Sequence, residues 1–244
     1  MRNVIVTGGS RGLGLGIAKR LVESGFHVIA IARKESAYLA KAICEAAETH
    51  PGALRFVPFD LENTDRIPDL VKELRKEFGP IYGLVNNAAI SIDGALVMTS
   101  MQKIEKLVRL NTISPIVLTK YAVRAMMADG GGRIVSISSI TAFTGYSGLS
   151  VYAATKASLI GFTKSLAREV GRMGVNVNAV APGLVDTEMA EGLQAEQREQ
   201  IVRRSALKRL VEVEDVANAV EFLMSDRSKN ITGTVITVDA GNTA

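Results

Sequence analysis

The chain opens with the stretch Arg2-Asn3-Val4-Ile5-Val6-Thr7-Gly8-Gly9-Ser10-Arg11-Gly12-Leu13-Gly14, and helical periodicity follows from Ile17 to Val22. The first six residues give a short apolar strand signal, so the glycines lie between a predicted strand and a predicted helix. Gly8 permits a tight turn, Gly12 lets the main chain approach a pyrophosphate, and Gly14 lets helix and strand pack closely. The helix N-terminus offers free N–H groups and a positive dipole end to an anion. This order of elements predicts a dinucleotide-binding loop.

The same loop matches a second pattern, Gly-x-Ser-x-Gly around Ser10, which is typical of the nucleophile elbow of α/β-hydrolases. A hydrolase of that type needs a serine, then an acid, then a histidine in chain order. The only histidines are His27 and His50, and none follows residue 50. The sequence therefore excludes this hydrolase, and both histidines are interpreted as structural or surface residues.

Length and composition favour one α/β domain spanning residues 1–244. The chain has 244 residues and 47% hydrophobic content, with no linker, repeat or low-complexity stretch. Apolar runs alternate with helical segments, which predicts a parallel, doubly wound sheet. No apolar run reaches about 18 residues, and the first strand begins at the N-terminus, so we expect no membrane span, no signal peptide and a cytoplasmic protein. Besides the first strand, the predicted strands are Val28–Ala32, Leu54–Pro58, Tyr82–Val85, Arg133–Ser138, Val175–Val180 and Val235–Val238.

Cysteine and charge narrow the function classes further. Cys44 is the only cysteine, which excludes an internal disulfide and a cysteine-based metal cluster, and we expect no metal site. Its neighbours Ala42, Ile43, Ala46 and Ala47 predict a buried, structural position on a helix. The net charge is +4, a mild excess that fits either an ordinary solvated surface or an anionic cofactor or partner. Without a basic tract or interleaved aromatics, nucleic-acid binding is not expected.

Tyr152 and Lys156 stand four residues apart in a predicted buried helix, so both side chains leave one face. A cation about 4 Å from a phenol at intermediate dielectric contributes ~4 kcal/mol, or roughly three pKa units. We therefore expect Lys156 to lower the pKa of Tyr152 toward the range useful for acid–base catalysis. For an isolated Tyr-x-x-x-Lys spacing, however, a core tyrosine and a solvated lysine are the commoner interpretation.

The rest of the chain resembles the short-chain dehydrogenase/reductases from Val4 to Gly241, with each main motif in order. The cofactor loop, the segment Asn86-Asn87-Ala88-Ala89, Ser139 at 13 positions before Tyr152, and Pro182-Gly183-x-Val185-x-Thr187 carry this resemblance. Ala89 departs from it, because the family usually has glycine there, and its methyl is tolerable if the local φ is negative. The resemblance implies a Rossmann-like doubly wound parallel sheet of about seven strands, with helices on both faces.

The resemblance also implies catalytic roles. Ser139 would polarise the substrate carbonyl, Tyr152 would donate the proton, and Lys156 would hold the cofactor ribose and act on Tyr152. Asn111 would hold a water that links Lys156 to solvent. Asn111 has an alternative interpretation as a polar residue that caps or kinks the run Ile104–Lys120.

Cofactor choice depends on the residues after the second strand. An enzyme that prefers NAD places an acid there, whereas this chain has Ala32-Arg33-Lys34. A guanidinium suits a 2′-phosphate, so Arg33 and Arg11, with Lys34 beside them, favour NADP (NADPH); Arg33 could instead be a surface residue at a strand end. Asp60 and Leu61 resemble the adenine-contacting pair. The expected cofactor-binding set is Gly8, Ser10, Arg11, Gly12, Leu13, Gly14, Arg33, Asp60, Leu61, Asn87, Ala88, Ala89, Tyr152, Lys156, Pro182, Gly183, Val185 and Thr187.

The substrate is indicated by similarity to 3-oxoacyl-acyl-carrier-protein reductases, strongest from Tyr152 to Glu169 and from Thr234 to Gly241. The resemblance implies reduction of a 3-oxoacyl thioester in fatty acid biosynthesis, with acyl carrier protein as a partner. Two regions that dock the carrier in those enzymes depart from the pattern: Ala128–Arg133 is acidic and glycine-rich, and Arg172 stands one place early. Reduction of another ketone, such as a polyketide or secondary-metabolite intermediate, therefore stays open.

A non-catalytic nucleotide-binding protein is disfavoured because Ser139, Tyr152 and Lys156 are all retained. The segment from Gln194 to Leu210 resembles the substrate loop of the family. We also expect a homotetramer or homodimer built on the helices that carry Asn111 and Tyr152, because the latter helix has more apolar and small positions than one side can bury.

Overall fold

The computed structural model describes residues 1–49, 53–186 and 195–244. Its strands form one parallel sheet, with the order β3-β2-β1-β4-β5-β6-β7. Two predicted strands match at both ends, and the others differ by one or two residues at one or both ends. The strands are β1 (Asn3–Thr7), β2 (His27–Ala32), β3 (Leu54–Pro58), β4 (Ile81–Asn86), β5 (Gly132–Ile137), β6 (Val175–Pro182) and β7 (Val235–Val238).

Helices cover both faces of the sheet, as the doubly wound pattern requires. They are α1 (Gly12–Glu23), α2 (Ala37–Thr49), α3 (Ile67–Phe78), α4 (Met101–Val108), α5 (Ser114–Ala128), α6 (Ser150–Val170), α7 (Ala195–Arg204) and α8 (Val213–Met224). Along β1, Val4 and Val6 pack in the core layer that α1, α2 and α8 cover, whereas Ile5 packs in the layer of α3, α5 and α6. Both layers are apolar, so every residue of β1 is buried.

The order of the strands fixes where a ligand can bind. Strands β1 to β3 extend in one direction and β4 to β7 in the other, so the direction changes between β1 and β4. In open parallel sheets, ligands bind in the crevice beyond the carboxyl ends of the strands at such a point. Here Thr7, Asn86, Ile137 and Pro182 end the strands on that edge.

The prediction that Cys44 is buried is wrong, because its side chain is exposed. Helix α2 turns Leu39, Ala42 and Ala46 toward the core, and at 3.6 residues per turn position 44 then lies on the outer face. His27 is structural as predicted, since its Nδ1 lies 2.6 Å from Asn3 Oδ1 at the start of β2. His50 lies outside the described residues.

Two features are absent from the described ranges, a membrane-spanning helix and a cluster of metal-binding side chains. No helix there has the length and apolar character that a membrane crossing requires. Within the same ranges, no group of three histidine, cysteine or acidic side chains is arranged to hold a metal ion.

Candidate active site

The glycine loop between β1 and α1 is a tight cradle of main chain. Gly8 and Gly12 have φ of +66° and +52°, the left-handed conformation that favours glycine. A Cβ on Gly14 would lie 2.2 Å from Gly8 O and 2.5 Å from Asn87 Nδ2, so no side chain fits there. The N-terminus of α1 follows directly, and its free N–H groups suit a pyrophosphate. The loop therefore has the shape and polarity of a dinucleotide site.

Hydrogen bonds join the ends of β1 and β4 beside this cradle. Thr7 Oγ1 accepts from the main-chain N–H groups of Asn87 (2.9 Å) and Ala88 (3.0 Å), and Asn87 Nδ2 donates to Thr7 O at 2.9 Å. Ala89 does not have a positive φ, so its methyl replaces the family's glycine without backbone strain. These contacts hold the predicted Asn-Asn-Ala-Ala segment against the loop.

The segment after β2 reaches the same cradle. Ser36 Oγ donates a hydrogen bond to Ser10 O and accepts one from Leu39 N at 3.0 Å, which ties the segment to the glycine loop. Arg33 and Lys34, between β2 and Ser36, are exposed. Arg11 is the N-cap residue of α1. The short segment that carries Arg33 and Lys34 thus lies beside the glycine loop, which contains Arg11.

The other predicted cofactor residues lie farther along this edge. Asp60 Oδ1 accepts from Glu62 N at 3.0 Å, and Leu61 is buried. Pro182 ends β6, and Val185 pairs with Val211. Thr187 lies outside the described residues.

The three predicted catalytic side chains meet where β5 ends and α6 begins. Ser139 follows β5, and its Oγ accepts from Thr141 N at 3.2 Å in the turn Ile140–Ala142. Lys156 is buried, with Nζ 2.8 Å from Ile137 O and 5.7 Å from the centre of the Tyr152 ring. The Ser139 hydroxyl also acts on the Tyr152 phenol, since it lowers the pKa of that group. A polarising hydroxyl, a phenol and an ammonium therefore share one site.

Burial dominates the electrostatics of this site. It raises the pKa of Tyr152 to about 12; the Ser139 hydroxyl acts in the opposite direction, and the Asp93 carboxylate raises the pKa further. Burial lowers the pKa of Lys156 to about 8. The expectation that Lys156 brings the Tyr152 pKa toward neutrality is wrong for the protein alone, since loss of water around the phenol is the larger effect and Nζ faces the Ile137 carbonyl. The phenol is consequently protonated at neutral pH, which is the form that a proton donor needs.

Asn111 occupies a π-helical turn, Arg109–Ile113, between α4 and α5. Its buried side chain accepts from Ile90 N at 3.0 Å and donates to Ile90 O at 2.8 Å. Asn111 Nδ2 also lies 3.2 Å from Thr155 Oγ1. The structure thus supports the alternative in which Asn111 interrupts a helix, and it also places this residue between the loop after β4 and the helix of Tyr152. Its role toward a water stays a prediction.

Sequence reasoning missed two residues around the site, Thr155 and Asp93. Thr155 joins Asn111 to Tyr152, because Thr155 Oγ1 donates to Tyr152 O at 2.7 Å. Asp93 acts on Tyr152 from the loop after β4, whose Gly94 N donates to Gly148 O at 3.0 Å, four residues before Tyr152. The only sequence signal for Asp93 is its position shortly after a strand end.

Comparisons with known proteins agree with this geometry. A family model described as Enoyl-(Acyl carrier protein) reductase matches residues 8–243. The chain is 38% identical over 237 residues to the 3-oxoacyl-(acyl-carrier-protein) reductase FabG of Escherichia coli (strain K12), covering 97% of this chain and 95% of that protein.

Two solved structures extend the similarity to the whole fold. The structure described as ElxO with NADP bound has a TM-score of 0.90 at 30% identity, covering 99% of this chain and 98% of that one. The structure of a gluconate 5-dehydrogenase from Burkholderia cenocepacia J2315, in complex with NADP and tartrate, has a TM-score of 0.92 at 28% identity. The match covers 99% of this chain and 95% of that one. With the cradle, the serine, the tyrosine and the lysine in place, the chain belongs to the short-chain dehydrogenase/reductase family of oxidoreductases.

Proposed function

We propose that this protein reduces the ketone of a 3-oxoacyl thioester to the 3-hydroxy product with NADPH. The observation that carries the proposal is the meeting of Ser139, Tyr152 and Lys156 at the carboxyl edge of the sheet, beside a glycine cradle shaped for a dinucleotide. The similarity to a 3-oxoacyl-(acyl-carrier-protein) reductase supports the substrate class.

NADP would lie across the crevice between β1 and β4. Main-chain N–H groups of the loop from Gly8 to Gly14 would hold the pyrophosphate, and Asp60 with Leu61 would contact the adenine. Arg33 and Arg11 would pair with the 2′-phosphate, which a guanidinium recognises in a bidentate manner. Two relatives of known structure are described with NADP bound. When bound, the cofactor supplies the hydride.

The residues of the chain provide position and a proton. Ser139 Oγ would donate a hydrogen bond to the substrate carbonyl oxygen, polarising the bond that accepts the hydride at its carbon. Tyr152 would transfer its phenolic proton to the same oxygen, which gives the alcohol. Lys156 would turn its ammonium from Ile137 O toward the cofactor ribose and the phenolate, stabilising the charge that Tyr152 acquires. A proton from solvent, relayed past Asn111, would restore the phenol.

A different ketone is the second candidate, and one observation favours it. Asp129 stands in the region where related reductases dock their carrier with a basic residue, and its carboxylate pairs with Arg75 at 2.7 Å. Arg172, expected at the end of the α6 helix, lies in the turn that follows it. A negative charge at this place does not attract an acidic carrier protein. The substrate would then be a ketone outside the acyl thioesters, such as a polyketide-like intermediate or a keto sugar acid.

The experiment is a panel assay of NADPH oxidation at 340 nm. The panel would contain acetoacetyl-CoA, acetoacetyl-acyl-carrier-protein, a simple methyl ketone and 5-ketogluconate, with Tyr152→Phe as the inactive control. Our proposal expects the highest kcat/KM with a thioester. If a sugar acid or a simple ketone exceeded both thioesters tenfold, the second candidate would replace the first.

We also propose assembly into a homodimer or homotetramer through α5 and α6. On these helices Ala154 is exposed and Met127 is 41% exposed, and the preceding turn exposes 40% of Ile113. Apolar faces of this kind are typical of stable homo-oligomer interfaces. Light scattering that returned the monomer mass, 26.1 kDa, at micromolar concentration would contradict this assembly.

A further inference from the structure

The last strand is followed by a turn, Asp239–Thr243, that internal hydrogen bonds fix in one conformation. The Asp239 carboxylate accepts from Gly241 N at 2.9 Å, from Thr243 N at 2.8 Å and from Thr243 Oγ1 at 2.7 Å. Ala240 has a φ of +54°, a conformation that a non-glycine residue adopts only where its surroundings hold it. We call this segment the C-terminal turn.

The C-terminal turn packs against the end of β6. Gly183 N donates to Val238 O at 2.8 Å, and a Cβ on Gly183 would lie 3.0 Å from Asp239 Cα. Gly183 belongs to the expected cofactor-binding set. The turn therefore stands at the border of the site and has little freedom to move.

From this turn, the side chain of Asn242 reaches two further elements. Its Oδ1 accepts from Tyr146 Oη at 3.1 Å, and its Nδ2 donates to Ile201 O of α7 at 3.3 Å. Two main-chain hydrogen bonds also join the C-terminal turn to the residues that follow α7. Ala206 N donates to Gly241 O at 3.3 Å, and Leu207 N donates to Ala240 O at 3.0 Å. Asn242 is thus a bridge between α7 and the segment that precedes α6.

The Tyr146 end of this bridge continues to the catalytic helix. Tyr146 O accepts from Leu149 N at 3.3 Å, and Leu149 O accepts from Ala153 N at 2.7 Å. Ala153 follows Tyr152 in the first turn of α6. A continuous set of hydrogen bonds therefore runs from α7 through Asn242 and Tyr146 to the turn that carries the proton donor.

We propose that Asn242 is a positioning residue, which uses both ends of its amide to hold α7 against the Tyr146 segment and so fixes the wall along which the substrate binds. Arg198 of α7 pairs with Asp186 after β6, so α7 keeps a second attachment when Asn242 is lost. Loss of Asn242 should therefore loosen α7 without unfolding the site. The kinetic part of this inference rests on the proposed function, whereas the mobility of α7 can be measured without a substrate.

Three variants separate the two ends of the bridge. Asn242→Asp keeps the acceptor for Tyr146 and loses the donor to Ile201, Tyr146→Phe loses only the other bond, and Asn242→Ala loses both. A net hydrogen bond contributes about a factor of 3 to 10 to an equilibrium. We expect Asn242→Ala to raise the substrate KM about tenfold with kcat within twofold, and the other two variants to have smaller effects. Adding Tyr146→Phe to Asn242→Ala should change nothing further.

Trypsin provides the readout that does not need a substrate. Arg203 and Arg204 at the end of α7 are exposed, so their cleavage rate reports local opening of this helix. We expect Asn242→Ala to accelerate this cleavage severalfold. Asn176→Ala is the matched control, because Asn176 Nδ2 also bridges two carbonyl groups, those of Lys229 and Ile231, away from α7.

Each outcome decides the inference. If trypsin cleaves Asn242→Ala at the same rate as the wild type or as Asn176→Ala, the bridge does not position α7 and the inference fails. If cleavage accelerates while KM stays unchanged, α7 does not form the substrate wall and the positioning role fails. If the wild type turns over none of the substrates, the proposed function fails, and the cleavage rates still test the bridge.

Discussion

Replacing Lys156 by methionine should make the protein more stable while removing its activity. The ammonium is buried, and burial lowers its pKa from 10.5 to about 8. A shift of this size corresponds to about 3 kcal/mol at 1.36 kcal/mol per pKa unit. Methionine fills a similar volume, is as good a helix former, and loses a hydrogen bond to Ile137 O that contributes about 1 kcal/mol. We therefore expect Lys156→Met to raise the free energy of unfolding at pH 7 by roughly 2 kcal/mol.

The stability difference between the wild type and Lys156→Met should also change with pH. Because the folded-state pKa of Lys156 lies below the unfolded value, folding is penalised fully below about pH 8, and the penalty disappears as the pH rises to 10.5. The wild type should therefore gain stability relative to Lys156→Met across that window.

The assay is urea unfolding followed by circular dichroism at fixed protein concentration and without NADPH, at pH 7 and pH 9.5. Lys164→Met on the exposed side of α6 is the control, and it should change stability by less than about 0.5 kcal/mol. Two results would show that Lys156 is not a buried charge that costs stability. One is a Lys156→Met variant that is less stable than the wild type at pH 7. The other is a difference in the free energy of unfolding between variant and wild type that is the same at both pH values.

Two further substitutions test the cofactor site. Gly14→Ala places a Cβ against Gly8 O at 2.2 Å, so it should weaken NADPH binding and lower stability by about 1 to 3 kcal/mol. The control is Gly161→Ala, which meets nothing within 4 Å on α6; equal stability changes, measured by urea unfolding, would contradict a packed cradle. Arg33→Asp should weaken NADPH more than NADH, because a 2′-phosphate would face a carboxylate. Titration of nicotinamide fluorescence measures both affinities, and an equal loss would place Arg33 away from the phosphate.

The sequence predicted the sheet almost completely because buried parallel strands are short apolar runs that turn residues separate. The resemblance to a known family also predicted that Ser139, Tyr152 and Lys156 form one site, and the strand end and helix start that carry them do lie at the same edge of the sheet. The side on which a helix packs was harder to predict. Cys44 stands among Ala42, Ile43, Ala46 and Ala47 in the sequence, and only the packing of α2 turns it outward.

The electrostatics could not be predicted from spacing. A tyrosine and a lysine four residues apart do share a helix face, yet the sign of the Tyr152 shift depends on how much water the fold removes from the phenol. The bridge through Asn242 was equally hidden. Its partners Tyr146 and Ile201 lie 96 and 41 residues away in the chain, and no local pattern marks such pairs.

The central claim is that Tyr152 donates the proton in an NADPH-dependent carbonyl reduction. The most direct measurement is NADPH oxidation by wild type and Tyr152→Phe with the best thioester of the panel, together with the NADPH dissociation constant of each. We expect turnover to fall at least ~10²-fold, the contribution of a general acid, while the dissociation constant stays within about threefold, since only the hydroxyl is lost. Retention of more than about a hundredth of the wild-type turnover would contradict the account.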